Sequence, residues 1–180
     1  MKTLNLVATA LIAVTSLAVL PAGAESVGEK TGVNSVLGIS PSTQDFVTEA
    51  AVSDMFEIQS SELALQRGDE PTKVFATQMI AAHQKTTTEL KSLLMSANIQ
   101  VTPPAALDSS HQGKLDDLKK LQGSEFIDQY QEDQVDAHEA AVSLFERYAK
   151  EGDNPALKDW AGKTLPELRH HLDMAQKLAD

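Results

Sequence analysis

The sequence contains no cysteine, and this absence excludes several kinds of chemistry at once. Disulfides, thiolate nucleophiles and thiolate metal sites all require cysteine side chains. A lipid anchor attached through an N-terminal cysteine is excluded for the same reason. Any function of this chain must therefore use other side chains.

Aromatic and basic residues are also scarce. Aromatic residues make up 4% of the chain, and 15 Lys and Arg face 26 Asp and Glu, which gives a formal net charge of −11. An acidic surface repels phosphate backbones and anionic lipid headgroups, and few aromatic rings are available to stack on bases or sugars. We therefore expect no nucleic-acid partner. The acidity favours solubility and attracts cations.

The N-terminal segment has the pattern of a signal peptide. "MKTLNLVATALIAVTSLAVLPAGA" begins with Lys2, continues with an apolar run from Leu6 to Leu20, and ends with small residues at Ala22 and Ala24. This pattern predicts a signal peptide over residues 1–24, cleavage after Ala24, and a location in the periplasm or cell envelope. An uncleaved membrane anchor is the alternative, but the run is short for a spanning helix. After cleavage we expect no integral membrane segment.

The remaining chain divides into a leader and one helical domain. Residues 25–41 mix Gly, Ser and Asn with few large apolar residues, which predicts a flexible leader, and residues 42–180 form the domain. In the domain, β-branched residues do not alternate with polar ones over the length of a strand. The helices are predicted from Phe46 to Arg67, Pro71 to Asn98, His111 to Gln122, Ser124 to Glu151, and Pro155 to the C-terminus.

The order of these helices predicts the fold. Short turns near residues 68–71 and 152–155 join the four long helices into two hairpins, and a long crossover that contains the short helix connects the hairpins. This layout is typical of an all-α, ferritin-like four-helix bundle. An up-and-down bundle with an extra helix would give a similar pattern.

Each long helix places one candidate metal ligand among its inward apolar positions, and the third also places Gln134 there. At about 100° per residue, the apolar arc of the first helix includes Leu65, and the arc of the fourth helix faces away from His170. The candidate ligands are Glu57, His83, His138 and His171.

The four inward residues are predicted to lie at one level, within about one helical turn of each other at 1.5 Å rise per residue. One carboxylate and three imidazoles could hold one transition-metal ion, namely zinc, copper, iron or manganese. In the alternative without metal, each histidine is a core residue bonded to Tyr130, Gln134 or Ser53, and Glu57 pairs with one histidine.

No catalytic residue or organic cofactor site is recognisable. The chain has neither a G-x-S-x-G nucleophile motif nor a glycine-rich phosphate loop. The sequence therefore favours a non-catalytic structural, stress-related or partner-binding protein, whose partner is another envelope protein or a second copy of this chain. A metal-binding protein is the first alternative, and a metal-dependent oxidoreductase is the second.

Four stretches, in order along the chain, resemble a bacterial exported family catalogued as domain of unknown function 4142 and often labelled "predicted outer membrane protein". The stretches are "DFVTEAAVSDMFEIQSSELAL", "KVFATQMIAAHQKTTTELKSL", "GSEFIDQYQEDQVDAHEAAVSLFE" and "LPELRHHLDMAQ". The resemblance covers nearly all of residues 45–178. It implies a ferritin-like bundle, an envelope location and no established activity.

A standard di-iron centre is not expected. Such centres use Glu-x-x-His on two helices, but Ile80 stands three residues before His83, and Val135 stands three residues before His138. The spacing does occur at Glu167–His170, where the histidine is predicted to face solvent. We interpret that spacing as a coincidence.

Overall fold

A computed structural model describes residues 26–30 and 32–180, which form seven helices and no strand. The all-α prediction is therefore confirmed for the described chain, whereas the predicted signal peptide lies outside these residues. The helices are α1 (Val27–Lys30), α2 (Val33–Leu37), α3 (Thr43–Arg67), α4 (Glu70–Ser96), α5 (Ser109–Leu118), α6 (Gly123–Glu151) and α7 (Pro155–Ala179).

Side-chain caps fix where three of the long helices begin. The hydroxyl of Ser42 accepts a bond from the Asp45 N–H at the start of α3. Asp69 caps α4, with Pro71 in the first turn, and Asn154 caps α7. These caps satisfy backbone N–H groups that have no partner within the helix.

The start of α6 differs from the prediction. The helix begins at Gly123, one residue before the predicted Ser124, and its N-cap is Gln122, whose side chain makes no capping bond. Gly123 has a φ of 58°, a left-handed conformation that glycine adopts at little cost. The left-handed conformation at Gly123 allows the short connection between α5 and α6. Helix α5 ends at Leu118, earlier than the predicted Gln122.

The four long helices enclose the interior. Helix α3 contacts α4 and α6, α7 contacts α6 and α4, and α5 packs on α3 and α6. Residues 68–69 connect α3 to α4, residues 152–154 connect α6 to α7, and the longer segment 97–122 contains α5. Each long helix therefore presents one side to a shared centre.

The residues predicted as a leader contain the two short helices α1 and α2. Glu29 forms a salt bridge with Arg147 Nη1 at 2.6 Å and accepts a hydrogen bond from the Asn34 side-chain amide at 2.6 Å. Arg147 also donates to the carbonyl of Ile39. These contacts to α6 are polar, so hydrophobic periodicity gives no sign of them.

The apolar core consists of two clusters, one toward each end of the long helices. The first cluster is centred on Phe46, Phe145 and Tyr148 and includes Leu90 of α4 and Leu168 of α7. The second includes side chains from α3, α4, α5, α6 and α7. Its buried members are Phe56, Ala64, Phe75, Ala76, Met79, Leu115, Leu118, Phe126, Tyr130 and Ala175.

Between these clusters lies a layer of buried polar residues. On α4, His83 separates Met79 from Leu90, and on α7, His171 separates Leu168 from Ala175. His138 has the same place on α6. Three helices therefore interrupt their apolar faces at the same level.

One predicted core residue is misplaced. Leu65 is 40% exposed, whereas its neighbour Ala64 is fully buried. Leu65 lies near the C-terminal end of α3, where the buried side of the helix has rotated away from the arc drawn at its N-terminal end.

No helix among residues 26–30 and 32–180 is long and apolar enough to cross a membrane.

Candidate metal centre

Three histidines from three helices meet in the polar layer. The ring centroids of His83 and His138 are 5.6 Å apart, and each is 5.7 Å from the ring of His171. The residues are 3%, 1% and 7% exposed, respectively. The structure therefore brings together three of the four residues predicted from helical periodicity.

The spacing of the rings suits a single ion. One ring nitrogen from each histidine lies within 4.8 Å of the other two. An ion at the centre of a triangle with that side would be at most about 2.8 Å from each nitrogen, whereas Zn–N bonds are about 2.0–2.1 Å. Each ring would have to move inward by less than about 1 Å to coordinate it.

His83 is oriented by a buried carboxylate. Its Nδ1 lies 2.8 Å from Asp54 Oδ1, and the Thr87 hydroxyl donates to Asp54 Oδ2 at 2.8 Å. A carboxylate can only accept, so Nδ1 carries the hydrogen. The His83 Nε2 is buried without a hydrogen-bond partner among the described residues. Metal-binding histidines commonly have this carboxylate contact on the nitrogen that does not bind the ion.

His138 is oriented by the backbone. Its Nδ1 donates to the carbonyl oxygen of Gln134 at 2.8 Å, one turn earlier on α6. In the neutral ring this bond leaves the lone pair on Nε2. That nitrogen is also buried and has no partner in the described part of the chain.

His171 contributes a third buried nitrogen. Its Nδ1 has no hydrogen-bond partner within residues 26–30 and 32–180. The adjacent His170 is exposed, as is Glu167. The interpretation that His171, and not the Glu167–His170 pair, faces the interior agrees with the structure.

The protonation states favour metal binding by two of the rings. Burial, together with the charge of His83, lowers the pKa of His138 to about 3 and that of His171 to about 4. Both rings are therefore neutral at pH 7. At His83, burial opposes the charged form, but the bond to Asp54 and the charge of Glu57 outweigh it and raise the pKa. An incoming ion competes with a proton chiefly at His83.

Glu57 lies beside this group without belonging to it. Its Oε1 is 3.8 Å from His138 Nδ1, the nitrogen already bonded to Gln134. Both carboxylate oxygens are buried and have no hydrogen-bond partner among the described residues. Burial raises the pKa of Glu57 to about 7. The carboxyl group is thus enclosed at the edge of the histidine group, where the charge of His83 and the Gln134 side chain oppose the rise in its pKa.

Two of the side chains predicted as partners of metal-free core histidines bond to serines of α3 instead, although Gln134 accepts from His138 through its backbone carbonyl. The Tyr130 hydroxyl bonds with Ser61 at 2.9 Å, and the Gln134 amide donates to Ser60 at 3.2 Å. These bonds join α6 to α3 on the side of the polar layer away from α7. They leave the inward histidine nitrogens unsatisfied.

His111 lies outside the group. Its Nδ1 is 2.9 Å from Asp108, the N-cap of α5, and its ring packs on Phe56 at 5.5 Å.

Sequence reasoning did not assign a role to Asp54 or Thr87. Asp54 stands three residues before Glu57, on the inward side of the same helix, and this spacing was the available signal. Its pairing with His83 depends on the packing of α3 against α4, which periodicity does not specify.

Comparison with known proteins gives a family and no activity. A family model described as Domain of unknown function (DUF4142) matches residues 28–178. No curated protein and no solved structure matches the chain.

Proposed function

The chain belongs to the DUF4142 family, whose description assigns no activity, and from its geometry we propose that it is a metal-binding protein. In this proposal His83, His138 and His171 hold one divalent transition-metal ion, and the Glu57 carboxyl group beside them supplies negative charge that balances the ion.

One observation carries the proposal: three buried histidines on three helices each have a buried ring nitrogen without a hydrogen-bond partner among the described residues, and one nitrogen of each ring lies within 4.8 Å of the other two. Leaving a buried polar atom unsatisfied costs about 1–3 kcal/mol. The three atoms lie between two apolar clusters, so leaving all of them unsatisfied would destabilise the folded protein. A single ion would satisfy all three.

The ligands and nearby charges indicate the class of metal. Imidazole suits zinc, copper, iron and nickel, whereas magnesium and calcium prefer oxygen ligands. Asp54, behind His83, and Glu57, beside His138, are two carboxyl groups that can balance a charge of +2. Three histidines with one further position form a common zinc site, and Cu²⁺ binds a given nitrogen site most tightly among the divalent first-row metals. We therefore propose Zn²⁺ or Cu²⁺ as the ion.

The proposal includes a fold and a location. The two hairpins and the long connection support a ferritin-like four-helix bundle in which each long helix supplies one residue to the centre. The N-terminal sequence pattern supports export to the periplasm or cell envelope. The protein would then bind metal outside the cytoplasm, without catalysing a reaction.

A structural polar layer without metal is the second candidate. The bond between Asp54 and His83 favours it, since a buried pair of this kind can fix how α3 packs on α4. The two candidates differ in what a metal ion does to stability.

The decisive experiment uses the protein after signal cleavage and without a histidine tag. We expect one equivalent of Zn²⁺ or Cu²⁺ by mass spectrometry after dialysis, and EDTA is expected to lower the melting temperature. Substoichiometric metal whose removal leaves the melting temperature unchanged would contradict the proposal and support the structural layer.

Glu57→Gln is expected to affect the metal-free and metal-bound proteins in opposite directions. A neutral amide costs less to bury than a carboxylate without a partner, so the metal-free protein should gain about 1–2 kcal/mol in the free energy of unfolding. Loss of the negative charge beside the ion should weaken metal binding about tenfold, or 1.4 kcal/mol. Chemical denaturation and metal titration measure the two effects.

An unchanged metal affinity in Glu57→Gln would show that the Glu57 charge does not act on the ion. Glu49→Gln is the matched control, because it changes the same functional group on the same helix two turns earlier. It is expected to bind metal like the wild type.

A further inference from the structure

We infer that the ion reaches the histidines between α4 and α7, through an opening controlled by the ion pair of Lys85 and Glu167. This inference rests on the proposed function, because it assigns an entry route to the same site.

The histidines are not equally far from solvent. His171 of α7 is 7% exposed, compared with 1% for His138 of α6. On the α3–α6 side the bonds from Gln134 to Ser60 and from Tyr130 to Ser61 join four fully buried residues. A cavity of about 620 Å³ between α3, α5 and α6 is lined by none of the three histidines. The shortest path from solvent therefore leads past His171.

The surface beside His171 has an ion pair across the two helices. Lys85 Nζ of α4 lies 3.4 Å from Glu167 Oε2 of α7. Lys85 is two residues after His83, and Glu167 is one turn before His171, where side chains of a helix lie next to each other. The pair thus joins the two histidine-bearing helices at the level of the site.

The ion pair can open easily. The Lys85 and Glu167 side chains are 60% and 47% exposed, and exposed pairs of this kind contribute only about 0–1 kcal/mol. Lys85 Nζ also lies 4.0 Å from Glu89 Oε1 on its own helix. The ammonium group therefore has a second carboxylate to move to when it leaves Glu167.

Both charges act on the site. Glu167 and Lys85 carry opposite charges at the surface, and Glu167 lies one helical turn from the buried ring of His171. A cation that approaches the rings is therefore attracted by Glu167 and repelled by Lys85.

Helix α7 lacks one backbone hydrogen bond next to the Lys85–Glu167 ion pair. Pro166 lies inside the helix and has no N–H, so the carbonyl of Gly162 loses its usual helical partner. Glu167 is the next residue. Because this backbone hydrogen bond is already missing, α7 can bend away from α4 here with fewer hydrogen bonds to break.

These features describe a sequence of steps for cation entry. The cation displaces Lys85 from Glu167, is held briefly by the carboxylate at the surface, and passes inward by one turn to His171. Release follows the same path in reverse. Glu167 in this account positions the ion during transfer and is absent from the final coordination.

The test measures rates of Zn²⁺ binding and release. In Glu167→Gln, we expect the association rate constant, followed with a fluorescent zinc indicator after rapid mixing, to fall about three- to tenfold at low ionic strength. Release into excess EDTA should slow as well, so Kd should change less than either rate. In Lys85→Gln, association should become faster. The effects should shrink in high salt, because exposed charges are screened.

Glu146→Gln is the matched control. Glu146 pairs with Arg169 across α6 and α7 at 2.7 Å, and the pair is 47% and 57% exposed, so the change removes the same charge from a similar ion pair. Its rates should match those of the wild type.

Three results would overturn the inference. Equal rates in Glu167→Gln and Glu146→Gln would show that entry does not depend on the Lys85–Glu167 pair. Faster release of Zn²⁺ from Glu167→Gln, with a tenfold or greater rise in Kd, would show that Glu167 coordinates the bound ion. Failure of the wild type to bind Zn²⁺ at equilibrium would overturn the proposed function as well, and this stoichiometry is measured first.

Discussion

Replacement of His171 by alanine is expected to abolish the stabilisation by metal, whereas the same replacement at the adjacent His170 is expected to preserve it. An ion at 100 times its Kd stabilises the folded protein by about 2.7 kcal/mol, which corresponds to about 5–10 °C in melting temperature for a domain of this size. Loss of one of three imidazoles should weaken binding at least 100-fold, enough to remove that shift. Thermal denaturation with and without Zn²⁺ measures it.

The two adjacent histidines make this a stringent comparison. Both replacements remove one imidazole from the same turn of α7, but only His171 is buried. Any effect of Zn²⁺ on surface histidines or on the unfolded chain should be the same in both variants. A metal-dependent shift that survives in His171→Ala, or that disappears in His170→Ala, would contradict the assignment of the ligands.

The three histidines could be predicted from sequence because two regular quantities locate them. The 3.6-residue period places His83, His138 and His171 among apolar positions of their helices. The 1.5 Å rise then gives their depth, once the caps and turns have fixed where each helix begins. No detail of side-chain packing is needed for either step.

The hydrogen bonds that orient these rings could not be predicted in the same way. To predict the pairing of Asp54 with His83, the position of α3 relative to α4 must be known to within about the length of one hydrogen bond. The acceptor for His138 is a backbone carbonyl, which every residue has. Residue type therefore gives no signal for it.

Elements held by polar contacts were also missed. Glu29 and Arg147 attach α1 to the long helices through a buried salt bridge, and the sequence around Glu29 shows no apolar period. Leu65 shows the opposite error, since a large apolar residue near a helix end is exposed at 40%. Hydrophobic periodicity is reliable in the middle of a long helix, where neighbours pack on both sides.

Asp54→Asn and Asp54→Ala are expected to separate the two roles of this carboxylate. Asparagine retains an oxygen that can accept from His83 Nδ1, so the ring should keep its orientation and lose only the charge behind it. Loss of such a partner typically weakens metal binding about 10–100-fold. Alanine leaves His83 and Thr87 without their acceptor, and breaking a buried pair in this way costs about 3–5 kcal/mol.

Metal titration and chemical denaturation of the metal-free proteins test this pair of predictions. Asp133→Asn is the control, because Asp133 is also buried but bonds to Lys114 instead of a histidine. Its metal affinity should stay within about threefold of the wild type. If Asp54→Asn binds metal as tightly as Asp133→Asn, the carboxylate serves only to pack α3 on α4. A loss of affinity confined to Asp54→Asn would instead show that its charge acts on the ion through His83.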